Sequence, residues 1–338
     1  MKSMYRRIFE HPAVYMVEAP LVSYSIKATN CFIIVDGEEA LVVDTGARFE
    51  KNYDRLSSSL EGLGIPEGNV SFFITHMHYD HMGVLDQLAS PNAKVYMSKG
   101  EYERSFGDGL ARYTERIDAR FREEGVSLHD MARYRRLREI NLNSFLNPHA
   151  YRFVSHGDSI EIGSIKFRVV RTSGHTQEHL SLFEELSGLF FCGDSIVYEF
   201  PPALDCFADG SDSIRAFFES LDLMESLDFS WAMQSHGALF GDARGRISAM
   251  REHRVDKGNR IVDVVRLLGN SSGSDILAEY AKSAPGVKYH EAPISPKYSL
   301  LKEGVAFLDH LVSVGRLIRF YDDSGTFLYD VRKTIGGI

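Results

Sequence analysis

The 338-residue sequence predicts an α/β fold of two strand-rich halves, each flanked by helices, and three observations carry that expectation. Short apolar or alternating runs of strand length recur up to Ser98 and again from Phe153 to His236. Apolar residues at helical spacing separate those runs. Residues 101–150, between the halves, are strand-poor and helix-prone.

In order, Val14–Val17, Phe32–Val35, Leu41–Val43, Val70–Ile74 and Val95–Ser98 read as the strands of the first half. Leu56, Leu60 and Leu63 mark a helix among them, and the residues after Met82 mark another. In the second half, Ile160–Ile162, Ile165–Val170, Leu180–Phe183, Leu189–Cys192 and Trp231–Met233 read as strands, with a helix through Ile214, Phe218, Leu221 and Met224. From about Gly245, Ile247, Met250, Ile261, Val264, Val265 and Leu268 predict a long helix stopped by Gly269. Ser274–Ala281 predicts a short helix, and Leu301, Val305, Leu308, Leu311 and Val312 a longer one ending at Gly315. Leu317–Tyr321 and Thr326–Val331 then form a hairpin around Asp322-Asp323-Ser324-Gly325. A chain this long exceeds what one core usually holds, so two domains are expected, 1–244 and 245–338.

The chemistry is concentrated in Thr75-His76-Met77-His78-Tyr79-Asp80-His81, directly after an apolar strand. Alternation lets His76 and His78 point the same way, and Asp80 and His81 fall where the chain must turn. Imidazoles and carboxylates suit zinc and other borderline divalent metals, and four such groups this close exceed the need of one ion. A chance cluster is the weaker reading when the whole chain holds 13 histidines. The segment is read as a metal site.

His-x-His-x-Asp-His after a strand resembles the signature of the metallo-β-lactamase superfamily. Four further segments agree with it in order: Leu41-Val42-Val43-Asp44-Thr45-Gly46, Gly174-His175-Thr176, Gly193-Asp194-Ser195 and Ser235-His236-Gly237. The resemblance runs from about Cys31 to His236, with Ser235 where the family usually has Gly. It implies an αββα sandwich with the ligands at one edge. Carried over, His76, His78 and His175 would hold one metal, Asp80, His81 and His236 a second, and Asp194 would bridge them. The cofactors implied are two divalent ions, zinc first, with iron and manganese as alternatives. A hydroxide between them would be the nucleophile, and Asp80 would orient it and shuttle a proton. Asp44 would accept a hydrogen bond from a ligand imidazole, and His179 would be a supporting residue. The remaining histidines, His11, His129, His149, His156, His253, His290 and His310, read as surface or packing residues, with His149 placed near the mouth of the site.

No apolar run approaches the roughly 18 residues of a membrane span, and the N-terminus lacks an apolar signal core. Cys31, Cys192 and Cys206 read as buried thiols, which favours a cytoplasmic location. A net charge of −9 argues against a general nucleic-acid binder. The helical stretch 101–150 carries nine arginines and no lysine. Two readings stay open: a lid offering guanidinium groups to an anionic substrate, or a solvated face with pairs such as Arg112–Glu115 and Asp118–Arg122. Three helices and a hairpin after 245 resemble a winged helix, and Glu252-His253-Arg254 resembles the C-terminal extension of certain β-lactamase-like hydrolases. From Arg246 onward, 14 Lys and Arg face 11 Asp and Glu, too mild a bias for DNA binding, so a packing or dimerisation role is expected.

The resulting expectation is a binuclear hydrolase, glyoxalase II-like or lactonase-like, acting on an ester, thioester or lactone of a small acyl substrate. Phe200-Pro201-Pro202 and the lid residues Tyr102, Tyr113, Tyr134 and Phe145 would cover an acyl group. Lactonases of the superfamily place a Tyr close after the bridging Asp, and Tyr198 is the candidate, with simple packing as the other reading. Two rival classes are a β-lactamase-like endoribonuclease, against which the acidic balance argues, and a mononuclear iron persulfide dioxygenase, against which the complete second ligand set argues.

Overall fold

Alternating apolar residues build two facing sheets in the computed structural model, which describes residues 4–22, 26–142, 150–239, 241–283 and 293–332. The first sheet runs β1 (Arg6–Phe9), β2 (Ala13–Pro20), β3 (Ala28–Asp36), β4 (Glu39–Val43), β5 (Val70–Phe73), β6 (Lys94–Met97) and β7 (Ala150–Phe153). It is antiparallel as far as β4 and parallel from β4 to β7. The second contains β8 (Ser159–Ile162), β9 (Ile165–Arg171), β10 (Leu180–Glu184), β11 (Leu189–Gly193) and β12 (Trp231–Gln234), in the order β12-β11-β10-β9-β8. Only β11 and β12 run parallel within it.

Residues one apart on each strand face opposite layers. Phe32, Ile34, Leu41 and Val43 of the first sheet meet Phe167, Val169, Leu182 and Phe191 of the second in the space between the sheets. Ile33, Val42 and Phe72 turn outward onto helix α1 (Glu50–Gly62) and the short helices α2 (Tyr79–Met82) and α3 (Leu85–Leu88). Val170, Phe183 and Phe190 turn outward on the other side, toward α7 (Ser213–Ser226) and α8 (Ala243–Leu268). The result is the expected four-layer order, helix, sheet, sheet, helix. The helix expected after Met82 is the single turn α3; Gly83 before it packs on the Ala47–Arg48 backbone, where a Cβ would lie 2.3 Å from the Arg48 nitrogen.

The insertion between the halves forms α4 (Lys99–Ser105), α5 (Gly107–Glu123) and α6 (Leu128–Leu142), and then β7. The chain ends in α9 (Gly273–Lys282), α10 (Ile294–Ser313) and a small sheet ordered β13-β15-β14, comprising β13 (Ser271–Ser272), β14 (Leu317–Tyr321) and β15 (Phe327–Val331). The boundary expected at 245 falls two residues inside α8. One apolar core spans it: Phe121 and Tyr134 of the insertion, Phe217 and Ile247 of α7 and α8, and Leu301 and Phe307 of α10 belong to a single cluster. Each such side chain stabilises the fold by about 1.5–3 kcal/mol on burial, so the C-terminal helices are bound to the second sheet by the core itself.

A polar contact adds to that bond. The buried guanidinium of Arg254 on α8 donates to Glu303 on α10 and to the Pro202 carbonyl, and Lys257 also donates to Glu303. Burial alone would raise the Glu303 carboxyl, but Lys257 and Arg254 hold it below its ordinary range. Cys31, Cys192 and Cys206 are free, buried thiols, as expected. Among the described residues, no helix is long and apolar enough to cross a membrane.

Candidate metal centre

Four turns at strand ends meet at one edge of the sandwich, and together they deliver all the expected residues. The turn after β5 brings His76, His78, Asp80 and His81; the turn after β9 brings His175; the ends of β11 and β12 bring Asp194 and His236. Three overlapping groups have their ligand atoms within 4.8 Å of one another: His76, His78 and His175; His76, His81 and Asp194; Asp80, His81 and His236. All seven residues are therefore brought together; two of the groups are the triads the resemblance implied, and the third joins Asp194 to His76 and His81.

The hydrogen bonds behind the ligands fix which nitrogen faces inward. Thr75 gives its N–H and hydroxyl to Asp44, so its oxygen is left to accept from His76 Nδ1 at 3.0 Å. His81 Nδ1 donates to Asp44 Oδ2 at 2.7 Å, His175 Nδ1 to the Ala203 carbonyl at 2.7 Å and His236 Nδ1 to the Ala28 carbonyl at 3.0 Å. Four imidazoles thus present the Nε2 lone pair, and His78 presents Nδ1, which lies 2.8 Å from His76 Nε2 and 3.0 Å from His175 Nε2. Asp44 holds this arrangement from a left-handed backbone (φ 57°), a conformation Asp tolerates better than most residues. Its expected role toward a ligand imidazole is met.

Acceptors facing acceptors call for a cation or a proton between them. Asp194 Oδ2 lies 3.3 Å from His175 Nε2 and 3.6 Å from His81 Nε2, and Asp194 Oδ1 lies 3.3 Å from His236 Nε2. Asp80 Oδ2 is 3.7 Å from His236 Nε2 and 3.9 Å from His81 Nε2. His81 Nε2, His236 Nε2 and Asp194 Oδ1 are buried with no hydrogen-bond partner among the described residues. This donor set fits divalent cations, which take neutral imidazoles and carboxylates. Burial and the neighbouring His81 hold His76 well below its ordinary pKa, and burial and His175 do the same to His78. Burial works against charge on His81 too, but the carboxylates of Asp194, Asp44 and Asp80 hold its pKa well up, so a cation would compete with a proton there.

His179 stands behind the cluster. Its Nε2 accepts from the Asp194 N–H at 3.3 Å and its Nδ1 contacts Thr172 Oγ1 at 2.8 Å, so both nitrogens are engaged. Burial and His175 lower its pKa to about 3. Gly193 (φ 52°) is required beside it, since a Cβ would fall 2.7 Å from His179 Nε2.

Two neighbours carry no motif. Glu101 on α4 is buried, accepts the Met77 N–H between His76 and His78 at 3.1 Å, and binds Arg104 at 2.7 Å. Lys302 on α10 reaches Asp205 at 3.1 Å and, with Tyr113 and Arg104, lines a cavity of about 100 Å³ against His78. A second cavity, about 930 Å³, reaches His236 and is walled by Ile8, Phe200, Trp231 and Leu239, with Arg6 and Lys27 at its rim. Tyr198 is half exposed, its N–H bonded to Gln234 Oε1, and it belongs to neither wall. Tyr134 is buried in the core against Phe121 and Tyr298 rather than facing the site. Asp118 of α5 accepts from Arg135 of α6 across the helix pair, with the Arg135 Nε at 3.0 Å. Phe145, His149 and His290 lie outside the described residues.

Residues 26–236 match the family model of the metallo-beta-lactamase superfamily. An atrochrysone carboxyl ACP thioesterase of Aspergillus fumigatus is 21% identical over 74% of this chain and 47% of its own length. A hydroxyacylglutathione hydrolase of Legionella pneumophila is 27% identical over 46% of this chain and 43% of its own. The chain thus spans about half the length of these two relatives. A beta-lactamase domain protein from Burkholderia ambifaria shares the fold with a TM-score of 0.81, at 23% identity, over 97% of this chain and 94% of that one. A metallo-beta-lactamase family protein from Thermus thermophilus does so with a TM-score of 0.74, at 20% identity, over 94% and 98%.

Proposed function

The chain belongs to the metallo-β-lactamase superfamily, and from that premise we propose that it hydrolyses an activated acyl bond, in an ester, thioester or lactone, with the help of two divalent cations. His76, His78 and His175 would hold one, Asp80, His81 and His236 the other, and Asp194 would serve both. The observation that carries this reading is Asp194, whose two oxygens face His175 and His81 on one side and His236 on the other. When bound, such a pair supplies a hydroxide nucleophile near neutral pH and polarises the carbonyl under attack.

The chain's own groups do the rest. Thr75, Asp44, Ala203 and Ala28 commit the Nδ1 protons and so aim each Nε2. Glu101 fixes the Met77 peptide, which sets the spacing of His76 and His78. Asp80 would hold the proton released by the nucleophile and pass it to the leaving group. Phe200, Trp231 and Leu239 would exclude water from an acyl chain beside His236. The helices and hairpin after 245 are read as a winged-helix-like attachment that closes the wall near His78 through Lys302. The names of the thioesterase and hydroxyacylglutathione hydrolase relatives support an acyl substrate.

A panel of p-nitrophenyl esters, acyl thioesters and homoserine lactones tests this reading. Turnover of at least one class, abolished by chelation and restored by divalent metal, is expected. Metal-replete protein that turns over none of them would overturn it.

A further inference from the structure

Four of the nine arginines of the insertion bind carboxylates, while Arg112, Arg116, Arg122 and Arg136 have no carboxylate partner among the described residues. Arg104 binds Glu101 at 2.7 Å, Arg120 binds Asp309 at 2.7 Å, Arg133 lies 3.7 Å from Asp130, and Arg135 binds Asp118. These serve the fold. Arg112 and Arg116 are exposed and have no carboxylate partner among the described residues.

Four positions apart on α5, the two share one helix face. Both line a cavity of about 310 Å³, and Arg104 and Tyr113 line both it and the cavity against His78, so the two cavities are neighbours. Three acids also stand in this cavity; Glu103 and Glu178 have cationic partners, and Asp209 keeps its charge. Glu103 meets Lys99 at 3.3 Å, Glu178 meets Arg171 at 2.9 Å, and Asp209 accepts from Gln177 and Ser211. Two arginines against one carboxylate without a cationic partner leave this cavity, next to the one against His78, with a surplus of positive charge to receive an anion.

We propose that Arg112 and Arg116 bind the anionic end, phosphate or carboxylate, of the thiol carrier of a thioester substrate whose acyl chain lies beside His236 and whose carrier leaves the site past His78. The inference rests on the proposed hydrolase reading and names its substrate class. Guanidinium forks a turn apart can clasp one phosphate or carboxylate through paired hydrogen bonds. Such remote contacts act alike on bound substrate and transition state, so they govern KM.

Titration calorimetry on the metal-replete full chain and on the double variant Arg112→Gln/Arg116→Gln decides the matter, with phosphopantetheine, pantetheine and glutathione as probes. Wild type is expected to bind phosphopantetheine roughly tenfold or more tighter than pantetheine, and the variant to lose that preference, as expected for two charge-assisted contacts. In kinetics, the ratio of kcat/KM for an acyl-phosphopantetheine over an acyl-N-acetylcysteamine thioester should fall by a similar factor. If glutathione instead depends on the two arginines, the anion is a carboxylate. Equal affinity of wild type for the phosphorylated and unphosphorylated probes, with glutathione binding unchanged in the variant, would overturn the inference. Should the discrimination persist in a protein that hydrolyses no thioester, the hydrolase reading falls and the anion site stands.

Discussion

Asp194→Ala is expected to empty both cation sites and to lower hydrolysis by on the order of 10³-fold or more, because bound metals supply several kcal/mol of transition-state stabilisation. The carboxylate lies within 3.6 Å of His81, His175 and His236, so its removal takes a ligand from each site at once. Elemental analysis of the purified variant checks the metal loss directly. His179→Ala is the matched control: that ring touches the Asp194 N–H and Thr172 but belongs to no ligand group, so metal content should survive. Loss of a metal in His179→Ala, with full occupancy in His175→Ala, would reverse the assignment of the two histidines.

Asp80→Asn should keep the shape of the site and lower kcat by on the order of 10²-fold or more, through loss of a proton carrier. Asp80 stands 3.7 Å from His236 Nε2 and 3.9 Å from His81 Nε2, at the edge of the second group. The effect belongs in kcat, because proton transfer occurs in the chemical step. Stopped-flow or steady-state turnover of a metal-loaded variant measures it. Near-normal turnover with metals in place would remove Asp80 from the mechanism.

The residues of the candidate centre were legible because each follows a strand and sits beside a small residue or another His or Asp, a pattern local in the chain. The two sheets were legible for the same reason: alternation along β3, β4, β9 and β10 is a property of each strand alone. Glu101 was not. Its contact with Met77 joins residues 24 apart, and in sequence it is one acid among several around Lys99 and Glu103. Lys302 reaches Asp205 only because α10 folds back beside the insertion. Apolar residues on both sides of the division expected at 245, on α7, α8 and α10, share one core with the insertion helices. Helical spacing offered Asp118 a partner at Arg122, yet the fold turns it toward Arg135 on the facing helix. Strand β7, at the end of the stretch read as helical, is added to the sheet edge by pairing with β6 rather than by any strong pattern of its own.

The central claim is that this edge of the sandwich holds two cations, and counting them is the most direct test. Elemental analysis of protein purified without chelator and supplied with zinc, iron or manganese should approach two ions per chain. A reproducible value of one under metal-replete conditions would contradict the binuclear account and leave Asp80, His81 and His236 without the role assigned to them.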